Sequence, residues 1–540
     1  MLAYLSLARR KYESAVCMSL GQAFPTSPSR RSRRYGWAVL ALLLASPVVV
    51  RGAEPQPAPG IGLVEAVRLM LEQDPNLSIE QARLRSSRGV LLSTAGAFDP
   101  VFTTGLERTS TNTPLTESSS REQSILDNSV GLSKRFRTGL SIEPQLDLVR
   151  TADASLDPVN VGTFSLALRQ PLLRGRGRAA TAAPELSAER QVAASELDLR
   201  HTTAERALAV ASQYWQTRAA LLNLEVLRES EERARELLET TRKLIDADVT
   251  PAADLVQVEA NVVAKETARI GGERVLFEAR QTLGREIGLA PERIAALPLP
   301  SDPFPTVAAA AVPSAVDGPG WIAKALERRA DLNAARERRS AVELLRKAAD
   351  NALRPQLDLI FTPSYSGLVA GKGTGTFFSP LYRNVPGASS SLSFSLSWPT
   401  LNSRARGELA QIEADLEQTA FLEDLLARQI GADVPVALDA VTRDAQQLER
   451  AAEAVRLFER AVENEEKKLR AGTSTLIDVI SQRDRLTAAR QAEVSAHLAL
   501  ALALVRLRFE TGTLIPRLGD PKTVELARFT TIPSPAGDEP

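Results

Sequence analysis

An aspartate recurs in two look-alike segments. ADVTPAADLVQ (Ala247–Gln257) carries Asp254, and AGTSTLIDVIS (Ala471–Ser481) carries Asp478. Each aspartate sits a few residues past a turn signal, where a carboxylate can cap a helix that restarts. Gly472 can end the preceding helix, and Thr250, Thr473 or Ser474 can cap the next one. The rest of the reactive inventory is thin. His201 and His497 are the only histidines and Cys17 is the only cysteine in 540 residues. That stock supports no metal cluster, disulfide framework or Cys/His catalytic pair, so neither an enzyme nor a cofactor or metal site is expected. The two histidines read as solvated or helix-packing residues. RGRGR (Arg174–Arg178) reads as interfacial charge next to a strand, with an anion contact as the competing reading.

The elements around these residues belong to a chain of balanced charge. Lys+Arg and Asp+Glu both number 66, which argues against a nucleic-acid partner. At the amino terminus RRSRRYG precedes the apolar run WAVLALLLASPVVV, too short and wrongly flanked for a membrane-spanning helix. Residues 1–53 are therefore expected to be an N-terminal extension and export signal. No 18-residue apolar segment follows.

SSSLSFSLSWP (Ser389–Pro399) alternates with a period of two, placing Leu392, Phe394, Leu396 and Trp398 on one face and serines on the other. The apolar face could meet a protein core or lipid. The chain also repeats itself. LEQDPNL (Leu71–Leu77) is echoed by LERRADL (Leu326–Leu332), and AFDP by ALRP (Ala352–Pro355). FSLALRQPLL matches LSFSLSWPTL, and the two aspartate segments match each other. Four matches in one order define two copies of one unit, at 54–290 and 321–515. A Pro/Ala-rich linker (291–320) lies between them and a tail (516–540) follows.

Each copy opens with a helix, Leu63 to about Ala97 and Trp321 to about Leu353, ended by a proline. Strands follow, returning at Pro171 and Pro399, where a new helix can start. The first copy carries extra material, NSVGLSKRFRTGLSIEPQLDLVR, read as an additional hairpin turning at RTG. It either joins the sheet or forms an external loop. The second copy has a Gly-rich loop, SGLVAGKGTGT, instead. Helical stretches of about 65 residues come next, at roughly 180–245 and 404–470, long enough to span roughly 100 Å. Each is followed by another helix after a short break.

Taken together, the duplicated helix–strand–strand–helix order, EAVRLMLEQDPNL, RQPLLRGRG and AGTSTLIDVISQRDRLTAAR resemble the outer membrane efflux proteins, the TolC-like channels of Gram-negative bacteria. The resemblance implies a mainly α fold with a membrane β-barrel. In it, a homotrimer closes one shared barrel in the outer membrane above a tunnel of long coiled-coil helices in the periplasm. It implies a passive exit duct for small molecules such as drugs or toxic compounds. The implied partners are a periplasmic adaptor and an inner-membrane RND or ABC transporter. Type I protein secretion and a non-pore extracytoplasmic coiled-coil scaffold stand as alternatives. By the same resemblance Asp254 and Asp478 form the periplasmic gate, and the tips Asp248, Val249, Thr250, Gly472, Thr473 and Ser474 dock the adaptor. Leu392, Phe394, Leu396 and Trp398 then face outer-membrane lipid. Two departures, Ser481 where a second gate aspartate is common and Leu469 where an aromatic often ties the gate, imply a weaker or differently locked gate.

Overall fold

The computed structural model describes residues 60–153, 156–246, 251–307, 318–383, 387–516 and 525–533, all within the unit Ala58–Pro540. The export signal, and with it the separate unit Met1–Pro57, lies outside the described residues, as do Asp248, Val249 and Thr250.

The first copy opens with two helices, α1 (Leu63–Gln73) and α2 (Pro75–Ala95), where the sequence suggested one. Pro75 is the cause: it lacks an N–H and holds Asp74 in extended backbone, so the helix must stop and restart. Asp74 caps the new start by accepting from the Asn76 N–H at 2.8 Å. Four strands follow: β1 (Val101–Thr116), β2 (Ser119–Arg135), β3 (Ser141–Asp153) and β4 (Leu156–Pro171). After them come α3 (Arg178–Thr181), the 64-residue α4 (Ala183–Asp246), α5 (Ala253–Ile287) and the short α6 (Pro291–Ile294). The second copy mirrors this with α7 (Gly318–Arg328), α8 (Ala330–Ala352), β5 (Gln356–Ala370), α9 (Thr374–Phe378), β6 (Ala388–Ser397), α10 (Ser403–Arg470) and α11 (Leu476–Glu510). A last turn, α12 (Ala527–Thr530), seats Phe529 at 0% exposure in the core. Here too the opening helix is split, at Arg329.

Three further readings are corrected. Pro171 ends β4, and neither Pro171 nor Pro399 starts a helix: the next helices begin at Arg178 and Ser403. The SGLVA portion of the Gly-rich segment is strand, since β5 runs to Ala370. The cap of α11 is Thr475, while Ser474 Oγ is spent on Glu465 and Thr473 Oγ1 donates to the Lys468 carbonyl.

Among the described residues the strands form one antiparallel sheet in the order β1-β2-β3-β4-β5-β6. The extra hairpin is β2–β3, central to the first copy's part of the sheet. It turns at Phe136–Leu140, where Gly139 adopts φ 98° and Phe136 N–H donates to the Leu140 carbonyl at 2.7 Å.

The helices pack in a continuous series. α4 lies against α5 and α11, and α11 against α10; nearer the sheet, α8 bridges α4 and α10 while α2 lies on α4. One core centres on Trp215 and Tyr214 of α4, both fully buried with α1, α5 and the segment 294–304 around them. Trp215 stacks on Phe304, which stacks in turn on His497. Tyr214 donates to the Ile61 carbonyl and to Asp302, both at 3.0 Å, and burial pushes its phenol up to about 12. A second core gathers Trp321, Leu332, Ile430, Val434 and Leu504.

Candidate functional site: the helical tips and the two-faced sheet

The tip between α10 and α11 is a compact turn built by local chemistry. Gly472 takes φ 70°, a conformation open to glycine. Its N–H donates to the Leu469 carbonyl, and Thr473 N–H to the Lys468 carbonyl, both at 3.0 Å, closing the helix end. Thr475 and Asp478 then form a reciprocal cap: Thr475 Oγ1 lies 2.6 Å and Thr475 N 3.2 Å from Asp478 Oδ2, and Asp478 N–H donates back to Thr475 Oγ1. Donation from Thr475 holds the Asp478 carboxyl below the ordinary aspartate range. Asp478 is thus both exposed and committed to its own helix start. The α5 start differs, since its N-cap is Ala252 and carries no side-chain cap.

The structure brings Asp254 together with the other tip. Asp254 and Pro251 share a cleft of about 730 Å³ with Gly472, Ser474, Leu476 and Arg483. Beneath it Leu237, Val258 and Leu476 make a small apolar cluster, with Leu469 packed against them. Leu469 therefore serves as hydrophobic filling between the hairpins.

Charged ties hold the two hairpins together just above. Arg483 of α11 reaches Glu466 of α10 through two nitrogens (3.1 and 2.6 Å) and donates to the Arg233 carbonyl of α4 at 3.0 Å. One heptad on, Arg490 bridges Glu229 of α4 (2.6 Å) and Glu459 of α10 (3.0 Å). Lys265 of α5 pairs with Asp484 of α11. Sequence reasoning passed over these residues. Their signal was present: Arg483 and Arg490 stand seven apart, as do Glu459 and Glu466, which is the spacing of facing seams on paired helices.

At the other end, the register assigns each face of the sheet, because directly paired residues share one. Leu392, Phe394 and Leu396 pair with Phe361, Leu359 and Leu357. Carried across β4, that face holds Phe164 and Leu168, then Ile142, Leu146 and Leu148 of β3. It continues through Val130 and Leu132 of β2 to Phe102 and Leu106 of β1. Trp398 lies one residue beyond β6, 68% exposed. The opposite face is largely polar, with Ser393, Ser395, Ser165, Thr163, Ser129 and Thr103 among its residues, the charged Glu143, Arg169 and Asp358 toward the helices, and a few apolar side chains such as Val149 and Val161. The apolar face is bounded by Lys134 at one end and Arg150 at the other; Arg150 donates to Asn160 at 2.6 Å. Every strand but β3 carries large apolar side chains at 39–74% exposure on this face, including Phe102, Leu106, Val130, Phe164, Phe361 and Phe394, while Leu148 of β3 is buried. A sheet apolar on one exposed face and polar on the other fits a membrane barrel wall. Among the described residues no helix is long and apolar enough to cross a membrane, and no His/Cys/Asp/Glu group could hold a metal.

Residues 321–513, most of the second copy, match the outer membrane efflux protein family. The outer-membrane channel OprN is similar to the chain at 17% identity with TM-score 0.58, covering 84% of this chain and 90% of that one. CmeC of Campylobacter jejuni, an outer membrane channel, is 14% identical with TM-score 0.60, covering 85% and 87%. VceC, an outer membrane protein of Vibrio cholerae, is 17% identical with TM-score 0.59, covering 83% and 96%. No curated protein sequence matches the chain. The fold is that of these channels, and the family matched is the one whose resemblance the sequence carries.

Proposed function

We propose that three copies of the chain assemble into a passive exit duct in the outer membrane of a Gram-negative bacterium, with the long helices extending into the periplasm. The observation that carries this reading is a matched pair of unpaired flanks. One flank consists of β1 with α2, which leads into it, and α5; the other consists of β6 and α10, which follows it. β1 and β6 are exposed along their whole lengths. On α5, Val256, Val263, Ile270 and Phe277 stand 55–70% exposed at intervals of seven, a coiled-coil seam without a partner among the described residues of its own chain. On α10, Phe421, Leu425 and Val436 are likewise exposed. A bilayer does not tolerate open strand edges, so β6 of one copy must meet β1 of the next. Because each chain contributes an even number of strands, that joint is antiparallel and the ring closes by rotation alone.

In this assembly Asp254 and Asp478 ring the periplasmic opening, and the Arg483 and Arg490 ties lock it where other such gates use an aromatic. The tips at Asp248, Val249, Thr250, Gly472, Thr473 and Ser474 receive a periplasmic adaptor coupled to an inner-membrane RND or ABC transporter, which supplies the energy. The duct performs no catalysis, and its cargo is small toxic molecules or drugs.

Native mass spectrometry of the membrane-extracted chain tests the reading. A trimer that needs detergent is expected; a monomer or dimer stable in plain buffer would overturn it and favour a scaffold. In the trimer, Arg483→Ala should raise single-channel conductance.

A further inference from the structure

The two copies contribute equally to the helical part but not to the sheet: β1 to β4 come from the first copy, and only β5 and β6 from the second. The surplus is the β2–β3 hairpin. Its middle is patterned as wall. Leu126, Val130, Leu132, Leu146 and Leu148 share the apolar face, while Asp127, Ser129, Gly131, Gln145 and Asp147 share the polar one. Glycine and serine at the polar positions, such as Gly105 paired with Ser129 and Gly131 paired with Thr103, keep that side open.

Two connections at the far end of the sheet stay clear of the polar face in their described residues as well. β1 and β2 are joined by Glu117 and Ser118 alone. The β5–β6 connector turns outward: Pro380 packs on Gly162 and Gly367, which pair with each other on the apolar face. A Cβ at Gly367 would lie 2.1 Å from the Pro380 carbonyl oxygen, so glycine there is what lets the connector lie flat against the outside.

We infer that the β2–β3 hairpin enlarges the outer-membrane bore, and that this bore passes solutes on the order of 20 Å across, the size of oligopeptides and oligosaccharides, leaving size selection to the helical tips. This rests on the trimeric reading above. Three chains of six strands give eighteen. With strands about 4.8 Å apart and tilted roughly 40°, the backbone cylinder is on the order of 35 Å in diameter, against about 24 Å for four strands per chain. Allowing about 5 Å of side chain at each wall then leaves a lumen of about 25 Å rather than about 14 Å, roughly a threefold difference in cross-section.

The hairpin can be removed without disturbing the sidedness of the wall. Deletion of residues 119–153 lets Thr116 pair with Leu156, and every even-numbered residue of β1 still meets an even-numbered residue of β4. Cys17 is the only native cysteine, so Ser165→Cys in a Cys17→Ser background places one thiol on the inner face. Detergent-purified assemblies would be labelled with a small maleimide and with maleimide-poly(ethylene glycol) of about 10 Å hydrodynamic radius, a size set by the lumen estimate. The native-length trimer should react with the polymer within a few-fold of the small reagent rate, and the deletion trimer more than tenfold more slowly. Gly131→Trp, which keeps every strand, should slow the polymer alone and serves if the deletion does not assemble. A native-length trimer whose cysteine takes the small reagent but excludes the polymer would overturn the inference. An assembly whose mass is not that of a trimer would instead overturn the proposed function.

Discussion

At the turn between its two opening helices each copy buries an ionic centre of one arginine and two carboxylates, and the two turn residues carry opposite charge. In the first copy the turn residue is Asp74, 2% exposed, paired with Arg206 of α4 at 2.5 Å; Arg206 also reaches Glu286 of α5 at 2.9 Å. In the second copy the turn residue is Arg329, paired with Asp331 at 2.7 Å and with Glu510 of α11 at 2.5 Å. Glu286 and Glu510 hold equivalent places, each near the end of the hairpin's second helix. The long helix of the second copy offers no arginine there; Ile430 and Val434 fill the site as core. Duplication has preserved where the charge pair sits while the cation moved from the long helix to the turn. The neighbouring glycines match too. Gly288 and Gly512 both take positive φ and both abut the turn. An ionic centre of this kind specifies how a turn meets a helix end more than it adds net stability.

The sharpest way to break this equivalence is Asp74→Ala. It removes the partner of a largely buried arginine and the cap of α2 together, and should cost about 4 kcal/mol, read by denaturant unfolding in detergent. Arg329→Ala should cost somewhat less, about 3 kcal/mol, because Glu510 keeps Arg506 at 2.9 Å. If the second substitution costs more than the first, the two centres are not equivalent. Gly288→Ala sets a Cβ 2.9 Å from Asp74 Cα and the Gln73 carbonyl, so about 2 kcal/mol is expected; Gly512→Ala, with contacts from 3.1 Å, should cost about 1 kcal/mol. At the tips the copies differ: Thr475→Ala removes the only side-chain cap of the pair among the described residues and should cost about 1 kcal/mol. In the same variant the Asp478 carboxyl should rise toward its ordinary value, measurable by NMR titration.

The smallest effect separates the copies by pH. His497 is half-buried against Phe304, and burial lowers its imidazole below 6.5. Its position in the first copy is held by Glu273. A depressed folded value means the unfolded chain binds the proton first, so the stability is fully present above 6.5 and declines as pH falls below it. Thermal scans between pH 7.5 and 5.5 should show a drop that His497→Phe removes. An unchanged slope would mean the ring is free to take its proton in the folded state.

Much of this was legible in the sequence. The long helices announced themselves through apolar positions such as Ala211, Trp215 and Ala219, three of the most buried residues of α4. The alternation at Leu392, Phe394 and Leu396 survived translation into a strand because a period of two has few other solutions. The hairpin was visible, but its membership of the sheet was not, since only pairing to β1 and β4 decides that. The breaks at Asp74 and Arg329 were hidden for different reasons. Pro75 follows one and was outweighed by the helical pattern around it, whereas Arg329 is set by ion pairs to residues up to 181 positions away. The ionic centres themselves could not be found by matching the copies, because matching looks for like residues and here the charges are exchanged. The clamp residues Arg483 and Arg490 depend on the facing of three helices, which spacing hints at and packing alone fixes.

The hairpin also constrains how such a protein can change over time. One added strand would reverse β6 relative to β1 and leave neighbouring copies to meet in the wrong direction, so a viable lineage must gain or lose strands by twos. In the proposed threefold ring each such event is counted three times. The width of the wall therefore cannot drift by small increments as a binding pocket can; it moves in steps of six strands, with no viable form between them. In this chain the two copies differ by one such step, while the helices below keep the doubled plan.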